Sequence, residues 1–195
     1  MNKKNILSIK NLKKIYSSKQ GEDTHALNDL NLDVQEGEIF GLLGPNGAGK
    51  TTFINIVAGT VIKTAGQVSV HGFDLDKNPR QVRASVGIVP QEVNLDPFFS
   101  PRKLLELQAG LYGIKEKDRI TDIILELVSL EKQANSYARS LSGGMKRRLL
   151  MAKALVHQPP IVILDEPTAG VDVELRQNLW KNVKLLNELG VTIIL

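Results

Sequence analysis

Two short stretches carry residue types that could act on a phosphate. Gly44-Pro45-Asn46-Gly47-Ala48-Gly49-Lys50-Thr51 has the spacing G-x-x-x-x-G-K-[ST] of a phosphate-binding P-loop. Its glycines let the backbone wrap close enough for N–H groups to point at phosphate oxygens. The positive end of a following helix adds to the attraction, and Thr52 falls in its first turn. Lys50 would reach the β- and γ-phosphates, and the Thr51 hydroxyl would hold Mg²⁺. The second stretch, Ile161-Val162-Ile163-Leu164-Asp165-Glu166, is four β-favouring apolar residues ending in two acids. Asp165 suits Mg²⁺ bound through its water shell, and Glu166 could face an attacking water. Phosphoryl transfer needs charge neutralisation and an oriented nucleophile, and these residues supply both.

Such residues need elements to aim them. Ile39-Phe40-Gly41-Leu42-Leu43 reads as a buried strand running into the P-loop, and Thr52 to Ala58 as the helix leaving it, stopped by Gly59. The run 161–164 reads as a fully buried parallel strand. Ligands of open α/β sheets bind beyond the carboxyl ends of such strands, which puts Asp165 and Glu166 where the P-loop puts phosphate. Ile6 to Lys10 and Lys13 to Ser17 read as short strands, with a polar turn at 18–23. Leu30, Leu32 and Val34 alternate as in a half-buried strand. Further strands are expected at Gly66–Val70, Ser85–Val89 and Val191–Leu195. From Pro101 to Leu130 the period turns helical, with one stripe at Leu104, Leu105, Leu107 and Leu111 and another at Ile120, Ile123, Ile124, Leu127 and Val128. A last helix is expected with Leu175, Leu179, Val183 and Leu186 on one face, Asp172 at its N-cap and Gly190 past its end. The layout is a parallel α/β core interrupted by a helical insertion.

Bulk composition excludes several classes. The 195 residues are 42% hydrophobic and 24% charged, an ordinary globular balance. Net charge is +4, which a P-loop protein explains without nucleic acid. With no cysteine, disulfides and thiolate metal sites are out. No apolar run approaches the ~18 residues that span a bilayer. The residues after Lys4 give no signal-peptide core of ~7–15 apolar residues. A membrane role is therefore expected only through a partner.

A third motif makes the combination specific. Leu141-Ser142-Gly143-Gly144-Met145 opens a helical stretch to His157, a hydroxyl and two glycines at a second helix start. With 161–166 following closely, the chain resembles, over essentially all 195 residues, the nucleotide-binding subunit of an ATP-binding-cassette transporter. Pro90-Gln91-Glu92, Pro167-Thr168-Ala169-Gly170-Val171-Asp172 and Val173-Glu174-Leu175-Arg176 are similar to the bacterial exporter type called ABC-2. Met145 replaces the glutamine commonest there.

The resemblance implies a P-loop NTPase (RecA-like) α/β fold. It would have a parallel-sheet core, an N-terminal antiparallel β subdomain and an inserted α-helical subdomain. The expected parts are 1–90 (β subdomain and P-loop part of the core), 91–158 (helical subdomain with the signature) and 159–195 (core with the acidic strand). It implies an ATPase that uses ATP and Mg²⁺. Tyr16 would stack on adenine, worth on the order of 1 kcal/mol. Gly44 to Thr52 would hold the phosphates, Lys50, Gln91 and Glu166 would be catalytic, and Thr51, Gln91 and Asp165 would meet the metal. Ser142, Gly143 and Gly144 would bind the γ-phosphate held by the opposite subunit, with Asp172 acting across that interface. Arg148 matches a basic residue of the signature helix. Partners would be an integral-membrane permease and a second ATP-binding subunit, in the simplest case a second copy, and no nucleic acid. The place would be peripheral, on the cytoplasmic face of the inner or plasma membrane. The family also has a histidine just after its last strand. The sequence reaches Leu195 on that strand and its histidines are His25, His71 and His157, so the single domain over 1–195 is expected to be C-terminally incomplete. Two other readings stay open: a soluble superfamily member acting on ribosomes or DNA, and a binding module with weak catalysis.

Overall fold

The computed structural model describes residues 4–18, 21–167 and 173–195. In chain order the elements are β1 (Asn5–Tyr16), β2 (Thr24–Gln35), β3 (Ile39–Phe40), α1 (Lys50–Val57), β4 (Ala65–Val70), β5 (Phe73–Asp74), α2 (Pro79–Ala84) and β6 (Val86–Val89). They continue as α3 (Pro101–Leu111), α4 (Thr121–Leu127), α5 (Gly143–Leu155), β7 (Ile161–Leu164), α6 (Val173–Glu188) and β8 (Thr192–Ile194).

Two sheets form. One is antiparallel, ordered β2-β1-β4-β5, and the other is parallel, ordered β3-β8-β7-β6. The parallel sheet is the core that positions the site, because all its strands end on one side. One of its two inner strands is β7, whose four residues are all buried. Alternation sends Ile161 and Ile163 into the cluster shared with α1 and the antiparallel sheet, and Val162 and Leu164 into the cluster shared with α3, α4 and α5. One strand thus joins both cores, and at its end come Asp165 and Glu166.

Several boundaries differ from the expectation for local reasons. The two short strands expected over 6–17 are the single β1. The break is an irregularity at Asn11, which sits at φ 49° while its N–H donates to Asn31 Oδ1 at 2.9 Å. The strand into the P-loop is regular only over Ile39–Phe40, although the Leu42 N–H still donates to the Leu195 carbonyl at 2.7 Å. On α3 and α4, Leu107 (42% exposed), Leu111 (84%) and Ile123 (63%) lie outside the buried stripe. The buried set is Leu104, Leu105 and Ala109, then Ile124, Leu125 and Val128, an i, i+1, i+4/5 face narrower than leucine content alone suggests. Arg119 and Thr121 both bond the Glu106 carboxylate, tying α3 to α4. Burial opposes the charge on Glu106, but these bonds outweigh it and hold its pKa below the usual value. The side chain of Leu175 lies outside the described part of the chain, while Val183 and Leu186 are buried as expected.

Helix α5 approaches β6 very closely at Gly87. A Cβ there would sit 2.2 Å from the Ala154 carbonyl oxygen and 2.9 Å from Pro159. The obstructing atom is helix backbone and cannot step aside. We expect Gly87→Ala to lower unfolding stability by about 1–3 kcal/mol, the usual range for overpacking, with urea denaturation as the measurement. An unchanged midpoint would show that α5 can shift freely against the sheet.

Candidate functional site

The P-loop forms where β3 leaves the sheet. Gly49 is the N-cap of α1 at φ 85°, ψ 6°, and Gly47 sits at φ 84°. Left-handed backbone at two nearby positions curls the loop so that N–H groups converge. Gly49 has a second reason to be glycine. A Cβ would lie 2.3 Å from the Ala26 carbonyl oxygen and 2.7 Å from Leu27 Cδ2. The loop is therefore braced against β2 of the other sheet. Lys50 Nζ donates to the Gly44 carbonyl at 2.5 Å and the Pro45 carbonyl at 3.2 Å, so the ammonium stands inside the curl. A phosphate entering the curl meets that charge, the loop N–H groups and the start of α1.

A cleft of about 420 Å³ opens on the loop, lined by Gly47, Lys50, Thr51 and Thr52 on one side and Gln91 and Glu166 on the other. Three elements far apart in the chain meet there. Gln91 follows β6, Glu166 follows β7, and parallel pairing brings those ends together, with the Asp165 N–H donating to Val89 O at 3.0 Å. Gln91 Nε2 donates to Glu166 Oε2 at 2.9 Å. Asp165 is half-buried, and its pKa is raised, first by burial and then by the Glu166 charge, with Lys50 pulling the other way. A carboxylate under that pressure gains from a cation. The Thr51 hydroxyl, the Gln91 amide oxygen and Asp165 are hard oxygen donors of the kind Mg²⁺ takes together with phosphate and water.

The structure brings the P-loop, Gln91, Asp165 and Glu166 together and leaves Ser142, Gly143 and Gly144 apart. Ser142 caps α5, its Oγ accepting from the Met145 N–H at 3.3 Å, and Gly143 is exposed. None of Ser142, Gly143 and Gly144 lines the P-loop cleft. Tyr16 is exposed at the end of β1 with Lys14 Nζ 4.6 Å from its ring centre. It pairs with Thr24, which does line the cleft. Asp172 lies outside the described residues.

Some contributors escape sequence reasoning. Thr24, His25 and Ala26 form a wall of the cleft, and only the pairing of β1 with β2 puts them there. Arg147, not Arg148, reaches the site, donating to the Gln91 carbonyl at 2.8 Å and the Glu166 carbonyl at 3.1 Å. Arg148 instead donates to the Val128 and Ser129 carbonyls at the end of α4, at 2.8 and 3.0 Å, as a helix C-cap. The basic cluster 146–148 was the signal in the sequence, without direction.

Known proteins are similar to this chain. The family model described as ABC transporter matches residues 27–169. The "Nod factor export ATP-binding protein I" of Cupriavidus pinatubonensis is 41% identical, over 97% of this chain and 58% of that protein. The "Linearmycin resistance ATP-binding protein LnrL" of Bacillus subtilis is 38% identical, over 97% and 60%. The chain thus spans less than two thirds of the length of these relatives. Among solved structures, a dimeric ATP-binding cassette in a post-hydrolysis state with ADP and Pi superposes with a TM-score of 0.82 at 29% identity, covering 96% of this chain and 86% of that one.

Proposed function

This chain belongs to the ABC transporter family, and from that premise we propose that it is the ATP-binding and ATP-hydrolysing part of an ABC-2-type membrane exporter. One observation carries the reading. The cleft gathers a P-loop, Gln91 and Glu166, while the second anion-binding helix start, Ser142-Gly143-Gly144, lies outside it. A γ-phosphate held in this chain's P-loop needs another molecule's signature to be enclosed. Two copies closing head to tail meet that need, each nucleotide lying between one P-loop and the other copy's Ser142-Gly143-Gly144.

The roles follow from the chemistry of each group. Tyr16 stacks on adenine, and Gly44 to Thr52 hold the phosphates, with Lys50 on the β- and γ-phosphates. Thr51, Gln91 and Asp165 would hold Mg²⁺, which when bound would draw charge from the phosphate oxygens. Glu166 takes a proton from the attacking water as its oxygen bonds the γ-phosphorus, and the bond to the bridging oxygen breaks to release ADP. The Gln91 amide orients that carboxylate. Asp172 works across the dimer interface. Loss of the γ-phosphate removes the contact that holds the dimer closed, which makes the cycle directional. The three-part division at 1–90, 91–158 and 159–195 belongs to the same proposal.

Motion reaches a permease through the helical part. A groove of about 260 Å³ begins one residue before Gln91 and is lined by Pro90, Asn94, Gln108, Tyr112 and His157. Among the described residues no helix is long and apolar enough to cross a membrane. The membrane-spanning part of the exporter is read as a separate polytopic partner.

The test is ATP-driven dimerisation. Ser142→Ala and Gly143→Asp should leave Mg-ATP binding by the monomer intact and weaken dimerisation by about tenfold or more, as expected for lost bonds to a charged group. Light scattering reads the outcome, and dimerisation equal to wild type would reject the head-to-tail arrangement. Binding of Mg-ATP with no turnover would move the chain to a binding module.

A further inference from the structure

Arg147 and Arg148 are neighbours on α5 and turn to different parts of the fold. Arg148 caps α4. Arg147 splits its guanidinium fork between two loops, one nitrogen on the Gln91 carbonyl and the other on the Glu166 carbonyl. Among the described residues no carboxylate lies within ion-pair distance of Arg147, and its fork bonds these two carbonyls. A planar guanidinium holds two acceptors at a set spacing, which a point charge does not.

The two loops are already joined on the side-chain level by the bond from Gln91 to the Glu166 carboxylate. Glu166 adopts φ 44°, a left-handed conformation unusual for a residue with a side chain. In it, the carbonyl accepts from Arg147 while the carboxylate accepts from Gln91. The three residues thus close a ring of bonds, Arg147 to Gln91 backbone, Gln91 side chain to Glu166 side chain, and Glu166 backbone to Arg147. The ring is anchored on α5, whose first residues are Gly143 and Gly144, one turn before Arg147.

We propose that Arg147 is a positioning residue that fixes Gln91 and Glu166 to the signature helix, so that α5's engagement of the partner's nucleotide is felt at the carboxylate serving this chain's own nucleotide. This rests on the head-to-tail reading for its second half. Signature and carboxylate belong to opposite nucleotide sites, and Arg147 is the side chain that bonds the helix carrying one to the loop carrying the other. Because it meets backbone carbonyls, it holds the carboxylate in place without neutralising it.

The experiment compares Arg147→Ala, Arg147→Lys and, as a structural control, Arg148→Ala in the full chain. Trp180 is the only tryptophan and lines one pocket with Lys50, Asp165 and Glu166, so its emission should report nucleotide binding. Arg147→Ala should bind Mg-ATP within about twofold of wild type yet lose about tenfold or more in turnover at saturation. The dependence of rate on ATP should lose its sigmoidal rise and approach a Hill coefficient of about 1. Arg147→Lys should recover part of the turnover, since one ammonium cannot fork to both carbonyls. Arg148→Ala should lower the melting temperature without separating binding from turnover. Wild-type turnover and cooperativity in Arg147→Ala would overturn the proposal, as would loss of affinity and melting temperature in step with turnover. A wild type that neither dimerises with ATP nor hydrolyses it overturns the motor reading, and the coupling role with it.

Discussion

Glu166→Gln should bind Mg-ATP as wild type does, hydrolyse it about 100-fold or more slowly, and accumulate as an ATP-bound dimer. The expectation rests on how little the change disturbs. An amide has the shape of the carboxylate and can still accept from Gln91 Nε2, which bonds Glu166 Oε2 at 2.9 Å. Arg147 bonds the Glu166 carbonyl, which the substitution leaves alone. What disappears is the proton acceptor for the attacking water. In the proposed head-to-tail dimer an uncleaved γ-phosphate would keep the closing contact in place. Steady-state hydrolysis and size measurement with and without ATP check both halves. Turnover at the wild-type rate would remove Glu166 from the role of base, and slow turnover without dimer would separate the base from the closing cycle.

Gly49→Ala should abolish nucleotide binding in practice, with affinity at least ~100-fold weaker. Left-handed backbone costs an L residue about 1–2 kcal/mol. The added Cβ would also stand 2.3 Å from the Ala26 carbonyl oxygen, a backbone atom in a paired strand that cannot retreat. Together these exceed about 3 kcal/mol, or ~100-fold. Gly47 supplies the control. It has nearly the same φ, 84°, but no atom lies within 4 Å of the place a methyl would take. Gly47→Ala should therefore weaken binding by only about tenfold. Titration of both variants with Mg-ATP decides the matter. Equal losses would show that backbone conformation alone sets the loop and that the brace against β2 is immaterial.

Much of the architecture was legible because it is local. A G-x-x-x-x-G-K-T loop between an apolar strand and a helix announces its own conformation. Four apolar residues ahead of two acids became β7, buried on both faces. The serine and glycines at 142–144 became the cap and start of α5. The α/β class with a helical insertion followed from the same periodicities. The short α2 has a helix-start signal at Asn78-Pro79 but no apolar stripe after it, so its sequence alone does not mark a helix. Leu107, Leu111 and Ile123 were read into a buried face that the packing of α3 and α4 does not include. Apolar character says that a residue can be buried, and neighbours decide whether it is.

By itself the sequence determined the kinds of group on offer: which residue types suit phosphate, which acids end a buried strand, and which helix starts carry a hydroxyl and glycines. Those properties reside in residue type and in spacing over a few residues, where chain geometry leaves few choices. The tertiary structure alone decided which of them meet. It placed Thr24, His25 and Ala26 beside the P-loop, left no room for a Cβ at Gly49 next to Ala26, and left Ser142-Gly143-Gly144 out of the cleft. It also chose Arg147 over Arg148 as the residue that bonds the carriers of Gln91 and Glu166. The reason is one of range. Successive residues on a helix point about 100° apart, and what each then meets is set by segments tens of residues away that only the packed sheet and helices bring near.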